Sequence, residues 1–158
     1  MTNAQTFEII TNSPQETIEA GKKLGASLSG GEVVALTGPL GAGKTHLIKG
    51  IVSGLGGRDL TKVNSPTFVL VNEYAAAGGL TVYHIDAYRI ETVREFEMLG
   101  FDEFCRPDAV VLIEWADKVL PALAGLDIIT VELSHISANQ RKISIENPPA
   151  GLSINNYQ

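Results

Sequence analysis

A lysine and a threonine close the segment Gly38-Pro39-Leu40-Gly41-Ala42-Gly43-Lys44-Thr45, a full match to G-x-x-x-x-G-K-[ST]. The chemistry served by this order is phosphate binding. Glycines at 38, 41 and 43 permit backbone conformations barred to other residues, so successive N–H groups can turn inward around a phosphate. A helix opening near Lys44 adds free N–H groups and the positive end of its dipole. Lys44 then reaches the outer phosphates, and the Thr45 hydroxyl is one ligand of a magnesium ion.

Hydrolysis needs more than a phosphate seat: a held magnesium ion and a placed water. Two apolar runs end in acids, Val110–Ile113 in Glu114 and Val82–Ile85 in Asp86. Such a pair invites a division of labour, one acid toward the metal and the other toward the attacking water. Taken singly, either acid is equally a turn residue or a helix cap. Ser65 or Thr67 sits in a loop able to close over a terminal phosphate, as switch segments do, or in an ordinary turn around Pro66. His84 alternates with Tyr83 and Ile85, which gives it the opposite sheet face and a structural role. Arg89 either neutralises charge in a transition state or pairs with Asp86 or Glu91. Trp115 reads as core or as an interface anchor.

These residues need elements to hold them. Glu32–Thr37 is an apolar, β-branched run that enters the glycine loop as a buried strand, and His46–Leu55 follows with helical apolar spacing. Phe7–Ile10 is a short first strand. Ser13, Pro14 and Glu16 then form a helix start, with Ile18, Leu24 and Leu28 on the buried side. Further strands are expected at Phe68–Val71, Leu80–Ile85, Ala109–Ile113, Ile128–Leu133 and Lys142–Ile145. Short helices are expected at Arg94–Leu99, Phe101–Phe104 and Ala116–Leu123. Asn72–Gly79 reads as a hairpin connection, which a purely alternating β-α sheet would lack. The expected fold is therefore α/β: a phosphate-loop NTPase-like three-layer arrangement of a mixed, mainly parallel central sheet with helices on both faces. Residues 1–146 form its single domain, and 147–158 a loosely ordered tail.

Composition agrees with one cored domain: 158 residues, 44% of them hydrophobic. A net charge of −6 suits tight independent binding to a nucleic-acid backbone poorly, so any RNA is reached through a partner. Cys105 is the one cysteine, which suits a reducing compartment. With no membrane-spanning run and no signal-peptide start, the expectation is a cytoplasmic protein without membrane contact.

In order along the chain, GPLGAGKT, Ser65-Pro66-Thr67-Phe68, Tyr83-His84-Ile85-Asp86-Ala87-Tyr88-Arg89 and Ile113-Glu114-Trp115 resemble the motifs of the TsaE (YjeE) family. The likeness spans roughly residues 10 to 145. It departs at Ala87, where the family often carries a larger apolar residue, and at Ala116, where proline is common. The resemblance implies an ATPase of tRNA threonylcarbamoyladenosine biosynthesis. ATP would contact Gly38, Pro39, Leu40, Gly41, Ala42, Gly43, Lys44, Thr45 and His46, with Thr67 and Arg141 as further contacts. Thr45 and Glu114 are the Mg2+-linked positions, Lys44 and Asp86 serve turnover, and Ser65–Thr67 acts as a switch. The implied partners are TsaD and TsaB, whose complex modifies position 37 of tRNAs reading codons that begin with A. The chain would hydrolyse ATP slowly alone and reset that complex, without transferring the group itself.

Other classes share the loop. A small-molecule kinase calls for an arginine-rich lid, whereas arginines here are scattered at 58, 89, 94, 106 and 141. A GTP switch calls for an Asn-Lys-x-Asp segment, which the sequence lacks. A module that holds nucleotide without cleaving it stays open at the level of sequence.

Overall fold

The computed structural model describes residues 6–39, 41–57, 60, 63 and 71–152. Leu40, the Ser65–Thr67 turn, residues 68–70 of the strand expected there and 153–158 of the tail lie outside the described residues.

After strand β1 (Thr6–Thr11), helix α1 (Pro14–Ala26) begins as its sequence dictates. Ser13 is extended, and its hydroxyl accepts from Glu16 N at 3.1 Å while Pro14 occupies the first turn. The Glu16 carboxylate reaches back to Asn12 N at 3.2 Å. Leu24 and Leu28 are buried as expected, but the buried face departs from the expected one at Ile18. Thr17, Ala20, Gly21, Leu24 and Gly25 are buried, whereas Ile18 is half-exposed.

The cause lies in α2 (Lys44–Gly54), which presses on α1 through glycines of its own. A Cβ on Gly50 would overlap the Ile18 carbonyl oxygen, and one on Gly21 the Leu47 carbonyl oxygen. Glycine to alanine inside a helix ordinarily stabilises by about 1 kcal/mol. Here the sign reverses: Gly50→Ala is expected to cost about 2 kcal/mol and to lower Tm by roughly 4–8 °C. A calorimetric Tm equal to or above wild type would contradict this packing.

Strands β2 (Val33–Thr37), β3 (Val71–Ala75), β4 (Thr81–Asp86), β5 (Ala109–Glu114), β6 (Ile128–His135) and β7 (Arg141–Glu146) join β1 in one sheet, ordered β1-β7-β6-β2-β5-β4-β3. The centre β6-β2-β5-β4 is parallel; the β1-β7-β6 and β3-β4 margins are antiparallel. Alternating residues feed two cores. Val34, Leu36, Leu112 and Leu133 pack with α1 and α2 on one face. Val33, Ala35, Ile85, Val111 and Ile113 pack on the other with Phe96 of α3 (Val93–Met98), Phe101 of α4 (Phe101–Phe104) and Leu123 of α5 (Leu120–Leu123). The three-layer α/β fold is therefore present, with a mixed sheet whose centre is parallel.

Two local expectations need correction. Asn72–Ala75 is strand, not connection: β3 pairs residue by residue with β4, and the turn is 76–80 around Ala77–Gly79. An edge strand needs one inward anchor, and Tyr74 supplies it. The helix expected over Ala116–Leu123 is split into a 3-10 turn, Ala116–Val119, followed by α5. Pro121 has no N–H to continue an α-helix from the residues before it. Within the region assigned to a tail, the Asn147 amide donates to Asp127 Oδ1 at 2.6 Å and to the Ile128 carbonyl, and Leu152 packs on the first core. Among the described residues no helix is long and apolar enough to cross a membrane.

Candidate functional site

The parallel strands β2, β5 and β4 lie side by side and end at one edge of the sheet, where open α/β sheets bind ligands. β2 runs out at Thr37 into the glycine loop, β5 at Glu114 and β4 at Asp86. Glu114 is in register with Leu36 on one side and Asp86 on the other. Sequence placed the two acids at strand ends; pairing makes them neighbours beside the loop.

A cleft of about 290 Å³ results, lined by Gly41, Ala42, Gly43, Lys44, Thr45 and His46 facing Asp86, Tyr88, Glu114 and Trp115. Gly38 (φ 144°) and Gly43 (φ 99°) hold backbone that L side chains rarely adopt, and Gly43 caps α2. The helix starts at Lys44, as the loop motif implied, which puts Lys44 and Thr45 in the first turn. Gly38 and Pro39 contribute carbonyls to the site: the Lys44 ammonium donates to both, at 3.2 Å for Pro39. It also sits 3.8 Å from the centre of the Trp115 ring. Burial pulls the Lys44 pKa below its ordinary 10.5, while Glu114, Asp86 and Asp117 oppose that pull.

Asp86 is half-buried, and burial raises its carboxyl above the ordinary 3.8; the Tyr88 N–H, 2.9 Å from Oδ1, works against the rise. The Glu114 charge adds to it, and His84 and Lys44 reduce it. Glu114 is buried, with Oε2 2.6 Å from His84 Nε2. His84 faces away from Tyr83 and Ile85, as its alternation implied, and that face is the one carrying Glu114.

Arg141 is set apart. It lines a second cavity of about 300 Å³ with Asn12, Ser13 and Asn139, joined to the cleft through Gly41, Gly43 and His46. Its guanidinium is turned onto the carbonyls of Ser137 and Gln140, each 3.1 Å away. Leu40 and Thr67 lie outside the described residues.

The family model described as threonylcarbamoyl adenosine biosynthesis protein TsaE matches residues 11–143, from the end of β1 into β7. The chain belongs to the TsaE family. A tRNA threonylcarbamoyladenosine biosynthesis protein TsaE of Treponema pallidum (strain Nichols) is 35% identical over 136 residues, covering 86% of this chain and 97% of that protein. The protein of the same name from Aquifex aeolicus (strain VF5) is 34% identical over 138 residues, 87% of this chain and 94% of its own. Among solved structures, that of Bacillus subtilis YdiB matches with a TM-score of 0.72 at 27% identity, covering 99% of this chain and 92% of that one. A TsaE family member has its place in tRNA threonylcarbamoyladenosine biosynthesis.

Three features of this TsaE site were not read from the sequence. Trp115 is half-buried against the second core, and at φ 58° and ψ 38° it also turns its ring over Lys44 and against Tyr88, centroids 5.0 Å apart. Its adjacency to Glu114 was the available signal, but the left-handed turn that aims it leaves no compositional trace. Tyr74 was hidden in the supposed connection, yet its hydroxyl lies 3.1 Å from His84 Nδ1. Asp117, just past Trp115, adds a third acid that acts on Lys44.

Proposed function

We propose that this TsaE-family chain is a magnesium-dependent ATPase that acts, by binding and hydrolysing ATP, on a TsaB–TsaD complex that modifies tRNA. The observation that carries the reading is the convergence of a lysine- and threonine-bearing glycine loop with two in-register acids at the carboxyl edge of parallel strands. The residues suit magnesium by number as well as type. Thr45 and one or two carboxylates are too few for an all-protein cage, and among the described residues no cluster of three or more His, Cys, Asp or Glu is disposed to hold a metal. Magnesium commonly keeps waters and phosphate oxygens and takes one or two carboxylates.

In this reading the loop N–H groups and the first turn of α2 seat the phosphates. Lys44 exchanges its own carbonyl partners, Gly38 and Pro39, for phosphate oxygens. Thr45 and Glu114 are the residues that would hold magnesium, which would supply positive charge against that of the outer phosphates. Asp86, with one oxygen held by Tyr88 N, offers the other to the attacking water. The water passes a proton to Asp86 as its oxygen bonds to the terminal phosphorus, the bond to the bridging oxygen breaks, and ADP departs with that oxygen. With a net charge of −6, this chain leaves RNA binding to its partners.

The nucleotide half of the reading has a built-in reporter. Trp115 is the single tryptophan, and it covers the ammonium that must move. Adding Mg-ATP is expected to change its emission saturably, and the change is expected to vanish in Lys44→Ala. Emission indifferent to ATP in a protein that binds it by calorimetry would contradict the movement of Lys44.

A further inference from the structure

The acid on the metal side does not stand alone. Glu114 is 2% exposed and His84 0%, and their side chains meet at 2.6 Å between Oε2 and Nε2. Behind His84, Nδ1 lies 3.1 Å from the Tyr74 hydroxyl, which is 8% exposed as a residue. Asn72 Nδ2 donates to that hydroxyl at 3.4 Å. Register produces the line: Asn72 pairs with His84 across β3-β4, and Asp86 with Glu114 across β4-β5. Tyr74, His84 and Glu114 thus occupy diagonal positions on one sheet face.

We propose that His84 is a positioning residue for Glu114, holding one carboxylate oxygen so that the other is committed to the metal side of the nucleotide cleft. The inference rests on the reading of Glu114 given above. Its logic is donor-acceptor accounting. An ionised Glu114 can only accept, so Nε2 carries the proton. On the other side of the ring, Nδ1 and the Tyr74 hydroxyl form the second bond. The Tyr74 oxygen in turn accepts from Asn72. Every group has a partner, with the Nε2 proton of His84 directed at Glu114. A histidine serving the core alone has no need of a buried acid that lines the cleft. Here both ring nitrogens are spent on side chains that fix the aim of Glu114. Groups that orient a ligating side chain in this way commonly change metal affinity or activity by about 10- to 100-fold when removed.

The test reads metal dependence and protonation separately from turnover. By calorimetry, the magnesium concentration that half-saturates ADP binding is compared among wild type, Glu114→Gln, His84→Leu and His84→Gln, beside ADP affinity without metal. The expected result is a magnesium requirement about 10- to 100-fold higher in His84→Leu with unchanged metal-free ADP affinity. His84→Gln, whose amide N–H reaches the Nε2 position, recovers most of it. Nitrogen-15 spectra of wild type are expected to show a proton on His84 Nε2, with its signal displaced in Glu114→Gln. A shifted requirement in Glu114→Gln but not in His84→Leu overturns the inference and spares the reading of Glu114. An unshifted requirement in Glu114→Gln removes both. Equal losses with and without metal assign His84 to the fold and overturn it. Should His84→Leu fail to fold, a wild-type Nε2 without a proton, or no recovery in His84→Gln, is decisive against it.

Discussion

Lys44→Ala is expected to weaken ATP binding by about 30- to 4,000-fold and to bring phosphate release to background. Truncating one member of a desolvated charge pair costs about 2–5 kcal/mol, which at about 1.4 kcal/mol per decade spans that range. The loss is aggravated by what remains. Lys44 is the cation that Glu114, Asp86 and Asp117 act upon, and without it a phosphate would enter a cleft of acids. Stability is expected to move little, because the lost bonds to Gly38 and Pro39 are offset by relief of a desolvated ammonium. Calorimetric titration with Mg-ATP and a melting curve check both parts. Wild-type affinity and turnover in a folded Lys44→Ala would overturn the assignment of the loop.

Asp86→Asn separates binding from chemistry. Its kcat is expected to fall about 10²- to 10⁴-fold, the usual span for a positioned general base, with the Mg-ATP dissociation constant within a few-fold of wild type. The same variant carries a stability signature. Folding raises the Asp86 carboxyl above 3.8, chiefly through burial, so the native state favours its protonated form. Its contribution to stability is complete below the unfolded pKa and is lost as pH rises through the native value. Asparagine carries no such penalty, so its melting temperature should gain on wild type as pH is raised from about 4 to 8. Loss of Mg-ATP binding instead would move Asp86 into the metal's own contacts. A Tm difference flat with pH would contradict the raised pKa.

What could be read from the residues was what local chemistry dictates. The loop motif fixes residue type at each step, so Lys44 and Thr45 were placed before any coordinates. Strands running into Glu114 and Asp86 were equally plain, because buried parallel strands are continuous apolar runs. The remainder depends on approach and register. Ile18 looked like core by its hydropathy, but close contact of α1 with α2 turned Gly21 and Gly25 inward instead. Tyr74 lay in a stretch of small and polar residues whose identity as an edge strand is decided by pairing with β4. His84 was assigned the right face, yet nothing in its neighbours named Glu114, thirty positions on, as its partner.

The central claim is that this site hydrolyses ATP in the service of a tRNA-modifying partner complex. Its most direct test is phosphate release from Mg-ATP by the purified chain and by Asp86→Asn, each with and without TsaB and TsaD. The account predicts slow release by the chain alone, stimulation by the pair, and background release by Asp86→Asn under both conditions. Release that the pair leaves unchanged, or that survives Asp86→Asn, would contradict it.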